Sequence, residues 1–133
     1  MFRHFEKFLQ VFYHKNHRSF TFCDCYGICY LFNKEVLGVE LPEFLDEDIW
    51  DDDGIHKTIS KGRDIFKKVP KGKEKIGDIV SFNINGHFLH VGVVLQSGQM
   101  LHIMEGKHAA IESYNNLKWK DKVDSFWRYE STI

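Results

Sequence analysis

Apolar residues recur at helical spacing at the start of the chain. Phe2, Phe5, Phe8, Leu9 and Phe12 predict an amphipathic helix over residues 2 to 13, followed by a polar loop from His14 to Thr21. A second apolar face, Cys25, Ile28, Cys29, Phe32 and Val36, predicts another helix, with Asp24 as its N-cap and Gly38 and then Pro42 closing it. Residues 43 to 75 are less regular. They open on an acidic run from Asp46 to Asp53, and their spacing predicts a short helix over 55 to 69 before a lysine-rich loop.

The period then changes. Ile79 to Ile84 and Phe88 to Leu95 read as strands joined at Asn85-Gly86, a pair suited to a type I′ hairpin turn. A third strand is expected over Gln99 to Glu105, and two more over Ala109 to Ser113 and Asp124 to Tyr129, the last with Trp119, Trp127 and Arg128 around the closing strand. Helices first and a meandering antiparallel sheet afterwards predict an α+β fold, with N-terminal helices packed on a five- or six-stranded sheet. At 133 residues the chain has material for one domain, spanning 1–133, with one core.

Charge removes several function classes. Lysine and arginine total 18 against 19 acidic residues, so nothing in the balance draws the chain to nucleic acid or to an anionic membrane. The opening stretch is too often interrupted by charge for a signal-peptide core, and no segment approaches the ~20 apolar residues of a membrane span. We expect no export address, so access to a target outside the cell would need a carrier. The acidic run lacks the spacing of a calcium loop and reads as a solvated or partner-facing segment, as do Lys61, Lys67, Lys68, Lys71, Lys73 and Lys75 with Arg63. Trp50 either packs under the irregular stretch or anchors a neighbouring subunit.

Candidate chemistry begins with three cysteines, Cys23, Cys25 and Cys29, an odd number unlike a disulfide framework. Cys25 follows Asp24 directly and so falls on the first turn of the second helix, where unpaired N–H groups and the macrodipole favour a thiolate. Its residue type and place are equally compatible with a small buried side chain. Cys23 and Cys29 read as buried structural residues. A zinc site built from the three with a histidine has the wrong spacing, and no metal is expected.

A thiolate nucleophile needs a base, and the base needs an orienting partner. Of eight histidines, His90 and His102 lie in the hairpin strands. A two-residue turn at Ser97-Gly98 would place them on opposite faces. A three-residue loop, Gln96, Ser97 and Gly98, with Gly98 left-handed, pairs Gly92 with His102 and makes the histidines diagonal neighbours roughly 7 Å apart on one face. Gly92 would leave open space beside them. His4, His14, His17, His56, His87 and His108 lack such a setting and are expected at the surface.

Five segments in order resemble the NlpC-type family of papain-like cysteine peptidases: Asp24-Cys25-Tyr26-Gly27-Ile28, Gly38-Val39-Glu40-Leu41-Pro42, Gly77-Asp78-Ile79-Val80, His90-Val91-Gly92-Val93 and Met100-Leu101-His102. The resemblance implies a papain-like domain with Cys25 as nucleophile, His90 as base and His102 as its orienting group. It implies no cofactor, and a peptidoglycan stem peptide as substrate. Tyr13 matches a tyrosine that lies near the oxyanion in many members, and Asp24 and Gly92 are the further substrate-side positions. The Gly-Gly pair often found between that tyrosine and the cysteine is absent. Tyr26 in place of the common serine, the short length and the lack of an export signal look like the branch found in bacteriophage tails. That implies tail proteins as partners, and a virion or, before assembly, the host cytoplasm as location. An alternative reading is a tail-tip plug or structural component that has lost turnover. A cysteine acyltransferase or non-wall amidase would use the same chemistry.

Overall fold

The change of period after residue 75 is realised as a sheet. The computed structural model describes residues 5–14, 17–42, 66–84, 87–96 and 98–129. It has strands β1 (Phe12–Tyr13), β2 (Phe22–Cys23), β3 (Phe66–Val69), β4 (Ile79–Ile84), β5 (His87–Gln96), β6 (Gln99–His102), β7 (Ala110–Ser113) and β8 (Val123–Tyr129), with helices α1 (Glu6–Leu9) and α2 (Cys25–Phe32). Six strands form one antiparallel sheet in the order β3-β8-β4-β5-β6-β7. The expected Asn85-Gly86 turn, the acidic run, Trp50 and residues 55–65 of the expected helix lie outside the described residues.

Both faces of this sheet are apolar. On one, Val91, Val93, Leu95, Leu101 and Ile103 pack with Phe8, Ile28, Cys29 and Phe32. On the other, Val80, Phe82, Val94, Met100 and Phe126 pack with Tyr114 and Trp119. One expectation fails for this reason. Phe66 and Val69, three apart, read as one face of a helix; they belong instead to edge strand β3, where Phe66 enters the first cluster and Val69 the second. A strand between two apolar layers can bury residues of either parity, and helical spacing then carries no helical meaning.

The N-terminal helix is also shorter than its aromatic spacing suggests. It ends at Leu9, and Phe12-Tyr13 pairs in parallel with Phe22-Cys23. From residue 12 onward the main chain bonds across the fold, Phe12 N–H to Thr21 O, Tyr13 N–H to Lys107 O and His14 N–H to Cys23 O. Aromatic residues suit extended backbone, and these tertiary bonds replace the helical ones. Strand β6 likewise stops at His102, short of the expected Glu105, because Lys107 N–H turns back to Met104 O with Gly106 at φ +78°.

Helix α2 starts where its sequence says. Asp24 is extended at φ −95°, ψ −175°, and its Oδ1 accepts the Gly27 N–H at 2.6 Å. All eight helical residues are buried, so α2 is a core helix and its polar cap is internal. One π-type turn, Asn33–Leu37, continues it to Gly38, which is left-handed at φ +67°. Asn33 holds this segment to the sheet, donating from Nδ2 to Cys29 O and Gly77 O.

The glycine in Asp24-Cys25-Tyr26-Gly27 has a steric reason. A Cβ there would lie 2.5 Å from the main-chain oxygen of His17 and 2.9 Å from Asp24 Oδ1. Alanine in a helix gains about 1 kcal/mol over glycine, whereas overpacking costs ~1–3 kcal/mol and here opposes main chain, which yields least. Gly27→Ala should therefore lower stability by about 1–2 kcal/mol in urea denaturation followed by circular dichroism. A variant as stable as the parent would contradict the close approach.

Candidate active site

The β5–β6 hairpin brings His90 and His102 to one face, by a route the sequence reading did not anticipate. The last pair is Gln96 with Gln99, leaving the two-residue turn that was expected to separate the histidines. Between Val94 and Gln96 the register shifts, so that one extra residue, Leu95, is accommodated on β5. The bulge restores the pairing Val94 with Met100 and Val93 with Leu101, the register the three-residue loop would have given. Gly98 is left-handed as expected, at φ +92°.

His90 Nε2 and His102 Nδ1 are 2.9 Å apart, and both side chains are buried. His102 Nε2 bonds in turn to Glu112 Oε2 at 2.5 Å. Glu112 Oε1 accepts from Trp119 Nε1 at 3.4 Å, and the Trp119 ring lies nearly parallel to His90, with centroids 5.7 Å apart, and edge-on to His102 at 5.2 Å. Phe82 packs against both rings, its centroid 5.5 Å from that of His90 and 5.0 Å from that of Trp119.

Glu112 and Trp119 were missed by the sequence reading. Trp119 does not belong to the closing strand; it precedes a 3₁₀ turn at Lys120–Lys122 and is buried on the histidine face. Glu112 reaches His102 because β7 pairs Ala110 with His102, which makes residue 112 its diagonal neighbour. That register depends on the connection 103–109, which carries no turn signature that fixes it.

This site is dry, and burial sets its titration. Loss of solvent pushes His90 down to about 3, with the positive ends of His102 and Lys118 adding to the effect. Burial also lowers His102, more than the hydrogen bond and charge of Glu112 raise it. For Glu112 burial acts upward, but the bond from His102, its charge, Trp119 and Lys118 outweigh it, and the carboxyl is lowered. At neutral pH the chain is therefore two neutral imidazoles ending on a carboxylate.

Cys25 stands at the first turn of α2 and is 4% exposed. Burial pushes its thiol up to about 12, and the Asp24 carboxylate adds to this, while main-chain hydrogen bonds at Val91, Tyr26 and Cys25 itself act downward. Cys25 thus belongs to the buried cluster that includes Val91, the residue after His90 on β5. Successive strand residues face opposite ways: Val91 packs with Cys25, and the His90 ring packs with Phe82 and Trp119. Among the described hydrogen bonds none joins Cys25 to His90.

Tyr13 is half-buried at the rim of the α2 cluster, its hydroxyl raised by burial and by the proximity of Cys25, Asp24 and Glu105. Asp24 is fully buried and occupied as the helix cap, so it acts on a substrate only through α2. Gly92 does not leave open space. A Cβ there would meet His102 Cβ and Met100 Sδ, both at 3.2 Å, so its role is to let β6 side chains close over β5. Cys23 and Cys29 are buried free thiols facing Ser19 O and Cys25 O. Among the described residues no group of three histidine, cysteine or acidic side chains is arranged to hold a metal. His14, His17 and His108 are exposed; His4, His56 and the His87 side chain lie outside the described residues.

A model of the NlpC/P60 family matches residues 11–128. The chain belongs to the NlpC/P60 family. It is 28% identical over 96 residues to a Haemophilus influenzae protein described as a probable endopeptidase NlpC homolog, a match covering 72% of this chain and 43% of that protein. The chain thus spans less than half the length of that relative. An NlpC/P60 family protein from Bacillus cereus superposes with a TM-score of 0.66 at 21% identity, over 92% of this chain and 36% of that one. A lipoprotein-like member of the family from Staphylococcus aureus gives 0.64 at 17%, over 95% and 39%. The NlpC/p60 domain of the peptidoglycan hydrolase SagA gives 0.60 at 20%, over 90% and 88%. The α+β architecture is thus the papain-like NlpC/P60 fold.

The buried neutral imidazole has a consequence for stability. His90 has a folded pKa of about 3, below its unfolded value of ~6.5, so the unfolded chain binds more protons between the two. Its contribution is whole above pH ~6.5 and is lost as pH falls toward 3. Urea midpoints should drop from pH 7 to pH 4, and less steeply in His90→Asn. Equal slopes for the two proteins would show that His90 is not held neutral.

Proposed function

We propose that this NlpC/P60 domain is a cysteine endopeptidase or amidase acting on peptidoglycan stem peptides, with Cys25 as nucleophile, His90 as base and His102 orienting it. The observation that carries the reading is the 2.9 Å His90–His102 bond, on the strand whose next residue, Val91, packs in one cluster with Cys25. Family membership supports it, as do the names of two relatives, a probable endopeptidase and a peptidoglycan hydrolase.

The chemistry follows from the atoms. His90 uses Nε2 for His102, which leaves Nδ1, the nitrogen nearer the main chain, for the thiol. The reaction requires Cys25 Sγ within hydrogen-bonding reach of Nδ1. The thiol proton passes to Nδ1 while sulfur bonds to the amide carbon, and N–H groups at the start of α2 receive the oxyanion, with the Tyr13 hydroxyl beside them. Breaking the C–N bond sends that proton to the leaving amine and leaves a thioester. Water then adds with His90 again as base, releasing the acid and restoring the thiol.

The setting we carry over is a bacteriophage tail, with tail proteins as neighbours, and its support is the sequence resemblance. In the fold Tyr26 has an internal task, donating its hydroxyl to Pro42 O at 2.7 Å. Mass spectrometry of purified particles of the source virus should find the chain in the tail fraction; its absence there would remove the setting and leave the enzyme. The second reading, a tail component without turnover, is favoured by the closed state of Cys25, 4% exposed with its thiol pushed up to about 12.

Release of stem peptides from purified peptidoglycan, followed by mass spectrometry, decides between them. Cys25→Ala and Cys25→Ser should lose at least roughly a thousandfold in rate. Variants that digest as well as the parent would rule out the cysteine. A parent that digests nothing, and whose Cys25 alkylates no faster than an ordinary thiol, would establish the structural reading.

A further inference from the structure

We infer that Glu112 is a positioning residue that fixes the direction of the histidine chain, keeping the proton of His90 on Nε2 so that the Nδ1 lone pair faces the thiol. The inference rests on the roles proposed above for Cys25 and His90.

An ionised carboxylate can only accept hydrogen bonds. Glu112 Oε2 faces His102 Nε2 at 2.5 Å, so that nitrogen carries the hydrogen. A neutral imidazole has one N–H, which leaves His102 Nδ1 as an acceptor. The nitrogen opposite it at 2.9 Å, His90 Nε2, must then donate. His90 is left with an unprotonated Nδ1, on the side of the ring nearer the strand main chain, and the next residue of that strand, Val91, packs in one cluster with Cys25. In the reverse order His102 Nδ1 would donate to His90. The only proton of His90 would then occupy Nδ1, and Glu112 would face a lone pair.

The carboxylate is itself held. Trp119 donates to its Oε1 at 3.4 Å and covers both imidazoles, and β7 fixes Glu112 diagonally beside His102. The charged and titratable groups facing His102 are His90 from β5, Glu112 from β7 and Lys118 from the segment before Trp119. Glu112 is the one anion among them. It offsets the positive charge that reaches the pair when His90 takes the thiol proton.

Imidazole nitrogen NMR on ¹⁵N-histidine protein at pH 7.5 reads the tautomers directly, with His90→Asn and His102→Asn giving the assignments. The parent should show protonated Nε2 and bare Nδ1 on both residues. In Glu112→Gln, whose amide can donate as well as accept, the fixed order should be lost. Alkylation of Cys25 and turnover should then fall by roughly 10²–10⁴-fold with KM little changed, the range general-base catalysis supplies. A parent carrying its His90 proton on Nδ1 overturns the inference, whatever the variant does. So does a Glu112→Gln protein with parental tautomers and turnover. A parent with the expected tautomers that cleaves no stem peptide supports the role of Glu112 and overturns the proposed function.

Discussion

One residue of slack in a hairpin decides whether the two buried histidines share a face of the sheet. Strand side chains alternate with a period of two, so pairing shifted by a single position sends every side chain to the opposite layer. The Gln96–Gln99 turn alone would do that to His90 relative to His102. The extra residue at Leu95 cancels the shift before the register reaches Val94, and the histidines meet at 2.9 Å. Glu112 takes its place from a second register, the alignment of β7 on β6 at His102 and Ala110.

Because both faces of the sheet are apolar, the polar chain lies inside one of them. Buried polar groups are tolerated when each finds a partner, and here the sequence of partners runs through both imidazoles to a carboxylate and an indole N–H. Burial keeps the imidazoles neutral. The Cys25 thiol lies in the other layer. Strand β5 thus separates the two, with Val91 on the Cys25 side and the His90 ring on the other.

The motif residues around Cys25 serve architecture as much as chemistry. Asp24 caps α2, Gly27 admits the main chain of His17, and Tyr26 ties the helix to Pro42. Asp24 also raises the Cys25 thiol, so the charge that stabilises the helix start works against a resting thiolate.

Sequence alone determined the local rules. Asp24 before an apolar run set a helix start, Gly38 its end, and the alternation from Ile79 onward set the strands, because each of these signals acts over a few residues of backbone. Ordered motifs likewise pointed to the family whose model matches residues 11–128. The reading failed where distant segments compete for the same backbone or surface. Tyr13 was drawn from a helix into a parallel pair by Cys23 and Lys107, and Phe66 and Val69 were parted by two apolar layers. Only the tertiary structure decided that Glu112 and Trp119 complete the histidine site and that Gly92 closes it. Diagonal neighbours on separate strands depend on a register set by a bulge and a long connection, which leave no periodic trace in the chain.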